Sequence, residues 1–225
     1  MSAASADPTR YALYWAPEPA HLLAQVGEAW LARDDMPVAD PATYGFHATL
    51  KPPFRLADGC SEADLLAAAQ ALARRRPSFA MPALQLGWLQ GFLALRPANA
   101  LAPDHALWRL ADTCVTELDH LRLPPDPAEL HRRRAAGLDA EQEDLLLRWG
   151  YPHLLQRWRF HMTLSDNAYA GRRDSPPAQA LHARLAALLA PALALPLRCD
   201  SICVFRQVEP GRAFESWRRL GLAHD

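Results

Sequence analysis

Residues Arg10 to Pro17 (RYALYWAP) are aromatic-rich, almost continuously apolar and stopped by proline, which predicts a strand. The next segment changes period. Leu22, Leu23, Val26, Trp30 and Leu31 recur at the spacing of one helical face. Alternation returns in Tyr44 to Phe54 (YGFHATLKPPF), where Phe46, Ala48 and Leu50 are apolar and His47, Thr49 and Lys51 fall between them. In an extended chain, residues i, i+2 and i+4 share a side, so these three polar groups form a ladder on one face. Ser61 then caps a predicted helix with Leu65, Leu66, Ala69 and Leu72 facing inward, and Phe79 to Gly91 predicts another strand.

From Phe92 the same order starts again. Phe92 to Ala98 predicts a strand ended by proline. A helix comes next, with Leu107, Leu110, Cys114 and Leu118 on one stripe and Asp104 as its N-cap. The second ladder is RFHMTLSD (Arg159 to Asp166), in which His161, Thr163 and Ser165 alternate with Phe160, Met162 and Leu164. A helix opened by Pro176 and Pro177, a strand in LRCDSICVFRQV and a short return strand or turn complete the chain. The second series is longer by Pro124 to Trp158, which reads as a helical insertion. The pattern predicts one bilobal domain over residues 1–225, with lobe one about 10–90 and lobe two about 91–225, the latter carrying the insertion 124–158. Alternating helices and strands place it in the α+β or α/β class.

Composition narrows the chemistry. Half of the 225 residues are hydrophobic and the formal net charge is -1, which argues against nucleic-acid binding through a bulk electrostatic field. Cys60, Cys114, Cys199 and Cys203 are scattered without a second close pair or ligand-spaced histidines, so buried free thiols are expected and no metal site. His21, His105, His120, His131, His153, His182 and His224 lack ligand spacing and read as surface or structural residues. No basic segment followed by an apolar core opens the chain, and no apolar run reaches the roughly 18 residues of a membrane span. A cytoplasmic home is expected.

What remains is the repeated H-x-T-L. Neutral imidazole takes a proton from water or a hydroxyl, and imidazolium gives one to a leaving oxygen. A threonine hydroxyl one step along the same face can donate to a non-bridging phosphate oxygen. Two such arms facing each other would grip a phosphodiester from both sides, with no need for a metal or cofactor.

The paired H-x-T motifs in a duplicated α+β chain resemble the two-histidine (2H) phosphoesterase superfamily. Within it, YGFHATLKPPF, HRRRAAGLDAEQEDLLLRWGYP, RFHMTL and ICVFRQVEPGRAF resemble a branch found among phosphonate-metabolism genes. The resemblance implies a duplicated bilobal fold, two antiparallel-type sheets forming a central cleft with helices outside. It carries the catalytic pairs onto His47 with Thr49 and His161 with Thr163. It implies a metal-independent cyclic phosphodiesterase, with 5-phosphoribosyl 1,2-cyclic phosphate as the best substrate and ribose 1,5-bisphosphate as the product.

Several further residues are candidates for substrate contact. Lys51 shares the face of His47 if the strand continues that far, and Arg159 alternates with His161. Tyr44 precedes the first ladder and suits either a substrate oxygen or packing. Arg132 and Arg133, in the insertion's HRRR, suit a second phosphate if the insertion folds over the cleft; a solvated face balanced by Glu129, Asp139, Glu141 and Glu143 is the other reading. Arg206 and Gln207 end a strand beside the expected cleft. Tyr11, Tyr14 and Trp15 are assigned to core packing on at least one face. Two other functions stay open: an RNA-end enzyme that opens 2',3'-cyclic phosphates or ligates RNA, and a non-catalytic module that binds a phosphate ligand. The oligomeric state is not written in the pattern.

Overall fold

The computed structural model describes residues 9–135 and 137–223; His224 lies outside the described residues. Nine strands and seven helices are described: β1 (Arg10–Trp15), α1 (Leu22–Leu31), α2 (Ala39–Tyr44), β2 (Ala48–Phe54), α3 (Glu62–Arg74), β3 (Phe79–Ala80), β4 (Leu84–Leu89), β5 (Phe92–Pro97), α4 (Ala106–Glu117), α5 (Pro127–Arg134), α6 (Ala140–Trp149), β6 (Met162–Thr163), α7 (Pro176–Leu193), β7 (Arg198–Cys199), β8 (Ser201–Gln207) and β9 (Glu215–Gly221). The fold is α+β with antiparallel pairing within its named sheets, as the alternation of elements anticipates. No described helix is long and apolar enough to cross a membrane.

Local chemistry starts and stops these elements. Ser61 caps α3 as its sequence predicts, and Asp64 completes a reciprocal capping box with it. The predicted Asp104 cap of α4 is replaced by His105, whose Nδ1 accepts the Leu107 N–H at 3.1 Å. His21 does the same for α1 at its Leu23 N–H. Two of the histidines read as structural are therefore helix caps. The insertion is helical, consisting mainly of α5 and α6, and the expected return strand is β9. The predicted strand over Phe79–Gly91 divides into β3 and β4. Helix α2 has no counterpart in the sequence reading.

The strands are shared between sheets in a way the linear order conceals. One sheet has the order β2-β1-β8-β9, a second β4-β5-β6, and β3 pairs with β7. The expected cut near residue 90 falls inside the tight β4–β5 hairpin, whose turn is Gln90 (φ 54°) and Gly91. Strand β1 is interior and needs a neighbour on each side. It takes β2 from its own half and β8 from the far end of the chain. Lobes of about 10–90 and 91–225 are therefore not the units of strand pairing.

The two H-x-T segments lie on, or lead into, β2 and β6, each an edge strand of its sheet, and these two edges contact each other. Edge carbonyls need partners when they are covered. Here two indoles supply them: Trp158 Nε1–H donates to Thr49 O at 2.8 Å, and Trp30 Nε1–H donates to Leu164 O at 2.7 Å. Helices α3 and α4 pack behind the four-stranded sheet, on β9 and β2, and α7 packs on β4 and α1. The main core, with Tyr11, Leu13, Trp15, Trp30, Leu50 and Met162, fills the space between. A smaller cluster, Ala12, Tyr14, Cys203, Phe205 and Phe214, lies on the other face of β1 and β8. That second face forms the wall of the site.

Candidate active site

Both histidines sit one residue ahead of their strands and are held in the same way. His47 Nδ1 lies 2.9 Å from Gly45 O, and His161 Nδ1 lies 2.8 Å from Arg159 O. A carbonyl only accepts, so each Nδ1 carries the hydrogen and each neutral Nε2 is the acceptor nitrogen. Thr49 lies on the same side as His47, its hydroxyl 3.2 Å from His47 Nε2. With the Nδ1–H tautomer, the threonine hydroxyl is the donor in that contact. The expected pairing of histidine and threonine two residues apart is present in the first ladder.

Gly45 makes the first turn possible. Its φ of 78° is left-handed, and an added Cβ would lie 3.4 Å from the Phe205 ring. Gly45→Ala should strain this turn and rotate the carbonyl that orients His47. The expected outcome is a drop in kcat of about tenfold or more with KM little changed, since a misplaced proton acceptor costs turnover. An unchanged kcat would show that the carbonyl does not set the imidazole.

His47 is half-buried by surface, yet protein packs closely around its ring. Tyr14 stacks on it with centroids 3.6 Å apart and an interplanar angle of 18°. Phe205 and Tyr44 lie 6.1 and 6.5 Å away. Burial pushes its pKa down to about 4, the Gly45 carbonyl opposes that shift, and His161 adds to the lowering. The charge of His47 is thus sensitive to that of His161. Burial also lowers His161, opposed by its bond to Arg159 O and reinforced by His153. A cavity of about 230 Å³ brings His47 together with Thr163, Ser165, Tyr44, Phe92 and Asn167. His161 borders Phe92, with ring centroids 6.0 Å apart.

These depressed values have a stability consequence. Between pH 6.5 and 4 the unfolded chain protonates His47 while the folded chain does not. Stability contributed by the neutral ring is therefore whole above pH 6.5 and is lost as pH falls toward about 4. The loss should be on the order of 2–3 kcal/mol. Urea unfolding at pH 7.5 and 4.5 should show a larger drop for the native chain than for His47→Gln. Equal drops would place the His47 pKa near its ordinary value.

Two candidates are corrected. Lys51 does not face the cleft. Tyr14 pairs with Thr49 and Leu13 with Lys51, so one step on β1 matches two on β2 and Leu50 is the extra residue of a bulge. The bulge turns Lys51 to the core side, 2% exposed, with Nζ 3.2 Å from Val115 O and 3.5 Å from Asp119. Burial pushes its pKa down to about 8. Arg206 pairs across from Tyr11, on the core side of the sheet, where it bonds Glu215 at 2.9 Å and lies 5.0 Å over Trp217. Phe205 and Gln207 take the cleft-side positions beside it. Lys51→Met should leave turnover nearly intact and stability equal or higher, because Asp119 keeps Arg122 at 2.7 Å. A large loss of kcat would return Lys51 to the site.

The remaining candidates are placed differently from one another. Tyr44 lines the cavity and stacks on Phe214 at 5.4 Å. Arg159 is exposed, and its backbone carbonyl holds His161. Arg133 bonds Glu129 and lies 4.7 Å over Tyr151, a ring that influences Tyr14 and is itself influenced by Tyr44. The insertion therefore reaches the cleft side of the sheet. Arg132 is exposed and lines a separate cavity. Ser165 lines the same cavity as His47, but its Oγ accepts the Leu93 N–H at 2.9 Å and so ties the ladder to β5. Sequence reasoning missed Arg10, Phe205, Phe214 and Asn167, and placed Tyr14 only in packing. The alternation of Arg10, Ala12 and Tyr14 against Tyr11, Leu13 and Trp15 was a visible signal for part of this wall. Among the described residues no group of histidines, cysteines or carboxylates has a metal-binding arrangement, and all four cysteines are free.

Two curated relatives are named Ribose 1,5-bisphosphate phosphokinase PhnN. The one from Janthinobacterium sp. (strain Marseille) is 38% identical over 94% of this chain and 50% of its own length. The one from Laribacter hongkongensis (strain HLHK9) is 36% identical over 95% of this chain and 52% of its own. The chain thus spans about half the length of these relatives. It is also similar to the crystal structure of E. coli LigT complexed with ATP, at 13% identity and a TM-score of 0.47, covering 96% of this chain and 99% of that one. A family model matches residues 49–215. Since that match runs from Thr49 through the insertion and second ladder to the start of β9, the chain belongs to the family described as Protein of unknown function (DUF1045).

Proposed function

We propose that the chain is a metal-independent phosphodiesterase of the two-histidine type that opens a small cyclic sugar phosphate. The observation carrying this reading is the pair of imidazoles, each with Nδ1 bound to the carbonyl two residues before it, at the meeting edges of two sheets. Burial keeps both rings neutral before substrate arrives. An anionic phosphate between them favours one imidazolium and so creates the acid beside the remaining base.

His47, pushed down to about 4, is the base in the direction considered. Its Nε2 takes a proton from water as the water oxygen bonds phosphorus. His161 gives its Nε2 proton to the leaving sugar oxygen as the P–O bond breaks. The Thr163 hydroxyl donates to a non-bridging oxygen, where charge builds, and the Thr49 hydroxyl turns from His47 Nε2 to another as substrate binds, freeing Nε2 for the water proton. The sum is hydrolysis, with one ester bond broken and one phosphate monoester formed.

The best substrate is 5-phosphoribosyl 1,2-cyclic phosphate, whose opening at the 2-oxygen gives ribose 1,5-bisphosphate. The relatives' name concerns that bisphosphate, and this chain matches about half of each. The kinase named there would reside outside the matched half. Lys51 is the only lysine in this sequence, comes directly after Leu50 and is buried, so the chain holds no G-x-x-x-x-G-K-[ST] phosphate loop.

Phosphorus NMR with a chelator present tests the reading, using this cyclic phosphate and a 2',3'-cyclic nucleotide as substrates. The nucleotide is the second substrate to offer because Tyr44, with Phe214 stacked behind it, presents an aromatic wall beside His47. Turnover that survives EDTA is expected. Loss of turnover on chelation ends the metal-free account, and turnover of neither substrate ends the reaction assignment.

A further inference from the structure

A second cavity, of about 330 Å³, lies at the other end of the site's wall. Four arginines line it: Arg10 from β1, Arg55 after β2, Arg122 before the insertion and Arg132 from α5. Its carboxylates, Asp126 and Glu129, are engaged, Asp126 with Arg55 at 3.2 Å and Glu129 with Arg133 at 2.6 Å. Among the described residues no carboxylate lies within ion-pair distance of Arg10 or Arg132. Arg122 is held by Asp119, yet its Nη1 is buried without a hydrogen-bond partner, in a side chain 10% exposed. A buried guanidinium nitrogen left unbonded is costly, and an anion satisfies it. Gly150 makes the room, since a Cβ there would come within 2.9 Å of that nitrogen.

Arg10 links this cavity to the wall beside His47. Arg10 and Tyr14 lie on the same face of β1, four residues apart, which is about 13 Å along a strand. Tyr14 stacks on His47, while the Arg10 guanidinium reaches over Phe214 at 5.3 Å, and Phe214 stacks on Tyr44 in the catalytic cavity. Gln207 fixes the Arg10 Nε at 2.8 Å, leaving its terminal nitrogens for a ligand. A net positive cavity in a chain of net charge -1 points to an anion of high charge density.

We propose that this arginine cavity is a second anion subsite, which takes a terminal phosphate monoester of the sugar whose cyclic phosphate lies between His47 and His161. The link to a cyclic ester rests on the function proposed above; the anion site stands on the arginines alone. Arg132 is the residue to change first, because it is exposed and its loss does not threaten folding; Arg10→Gln is the second.

Calorimetric binding of ribose 5-phosphate, which has no cyclic ester, should weaken roughly 10–100-fold in Arg132→Gln and in Arg10→Gln. It should persist in His161→Gln. The kcat/KM ratio for the 5-phosphorylated over the 5-hydroxyl cyclic phosphate should fall in both arginine variants. If the native chain turns over neither cyclic ester but binds ribose 5-phosphate through these arginines, the reaction assignment fails and the subsite stands. Equal binding by the native chain and both arginine variants, or no binding by the native chain, overturns the subsite. Inorganic phosphate competing as strongly as ribose 5-phosphate would make it a free-anion site and overturn the link to a sugar.

Discussion

His47→Gln and His161→Gln should each lower kcat by about 10²–10⁴-fold, the range for losing a positioned acid or base. The double variant should lose little more than the worse single one, because acid and base act in one step and either loss disables the other. Stopped assays by phosphorus NMR would measure both. Strict additivity of the two losses would mean that the rings work separately. The pH dependence carries a sharper signature. Both free-enzyme values lie below the ordinary 6.5 of histidine, so the protonated acid is scarce at neutral pH. The kcat/KM profile should therefore peak on the acid side of 6.5, with its acid limb near 4 from His47. The kcat profile should extend to higher pH, because bound phosphate raises the imidazolium's pKa. A kcat/KM profile flat from pH 5 to 8 would remove the buried pair from the mechanism.

Trp30→Ala should cost about 3–5 kcal/mol of stability, as expected for deleting a fully buried large aromatic ring. Trp30 is 1% exposed within the main core, and its indole also supplies the hydrogen bond to Leu164 O beside Thr163. Two effects should separate in unfolding experiments. Trp30→Phe keeps most of the packing and loses the N–H, so it should cost about 1–3 kcal/mol for the orphaned carbonyl. Both variants should also lose activity beyond any loss of folded protein, because the second ladder is short. Met162 and Thr163 pair with β5 and the Leu164 N–H donates to Leu93 O at 2.8 Å, while Ser165 Oγ and the Trp30 indole hold the chain just beyond them. A Trp30→Phe chain with native kcat would show that β6 holds its position without the indole.

The legible part of the fold was what local periodicity encodes. The α1 stripe, the Ser61 cap of α3, the proline start of α7 and the strand pattern of β1 each depend on residues close in sequence. Such signals survive without knowledge of the partners. Helix α2 escaped because six residues with two prolines nearby carry too short a period to register. The pairing of strands also escaped, since hydrogen bonding between β1 and β8 joins segments almost two hundred residues apart.

The two ladders themselves were set by sequence: His47 with Thr49 and His161 with Thr163, apolar residues between, at matching places in a repeated order. Local alternation suffices for that, because side chains two apart share a side wherever the strand goes. Tertiary structure decided the rest. It brought the edges of two sheets together, so that His47 and Thr163 line one cavity. It chose the tautomers, through carbonyls whose direction depends on the turn at Gly45 and the backbone at Arg159. It removed Lys51 from the ladder, because a bulge at Leu50 turns the next residue to the core face of the strand. And it placed Arg206 behind the sheet and Arg10 in front, a choice made by the register between β1 and β8, which no segment of the chain contains by itself.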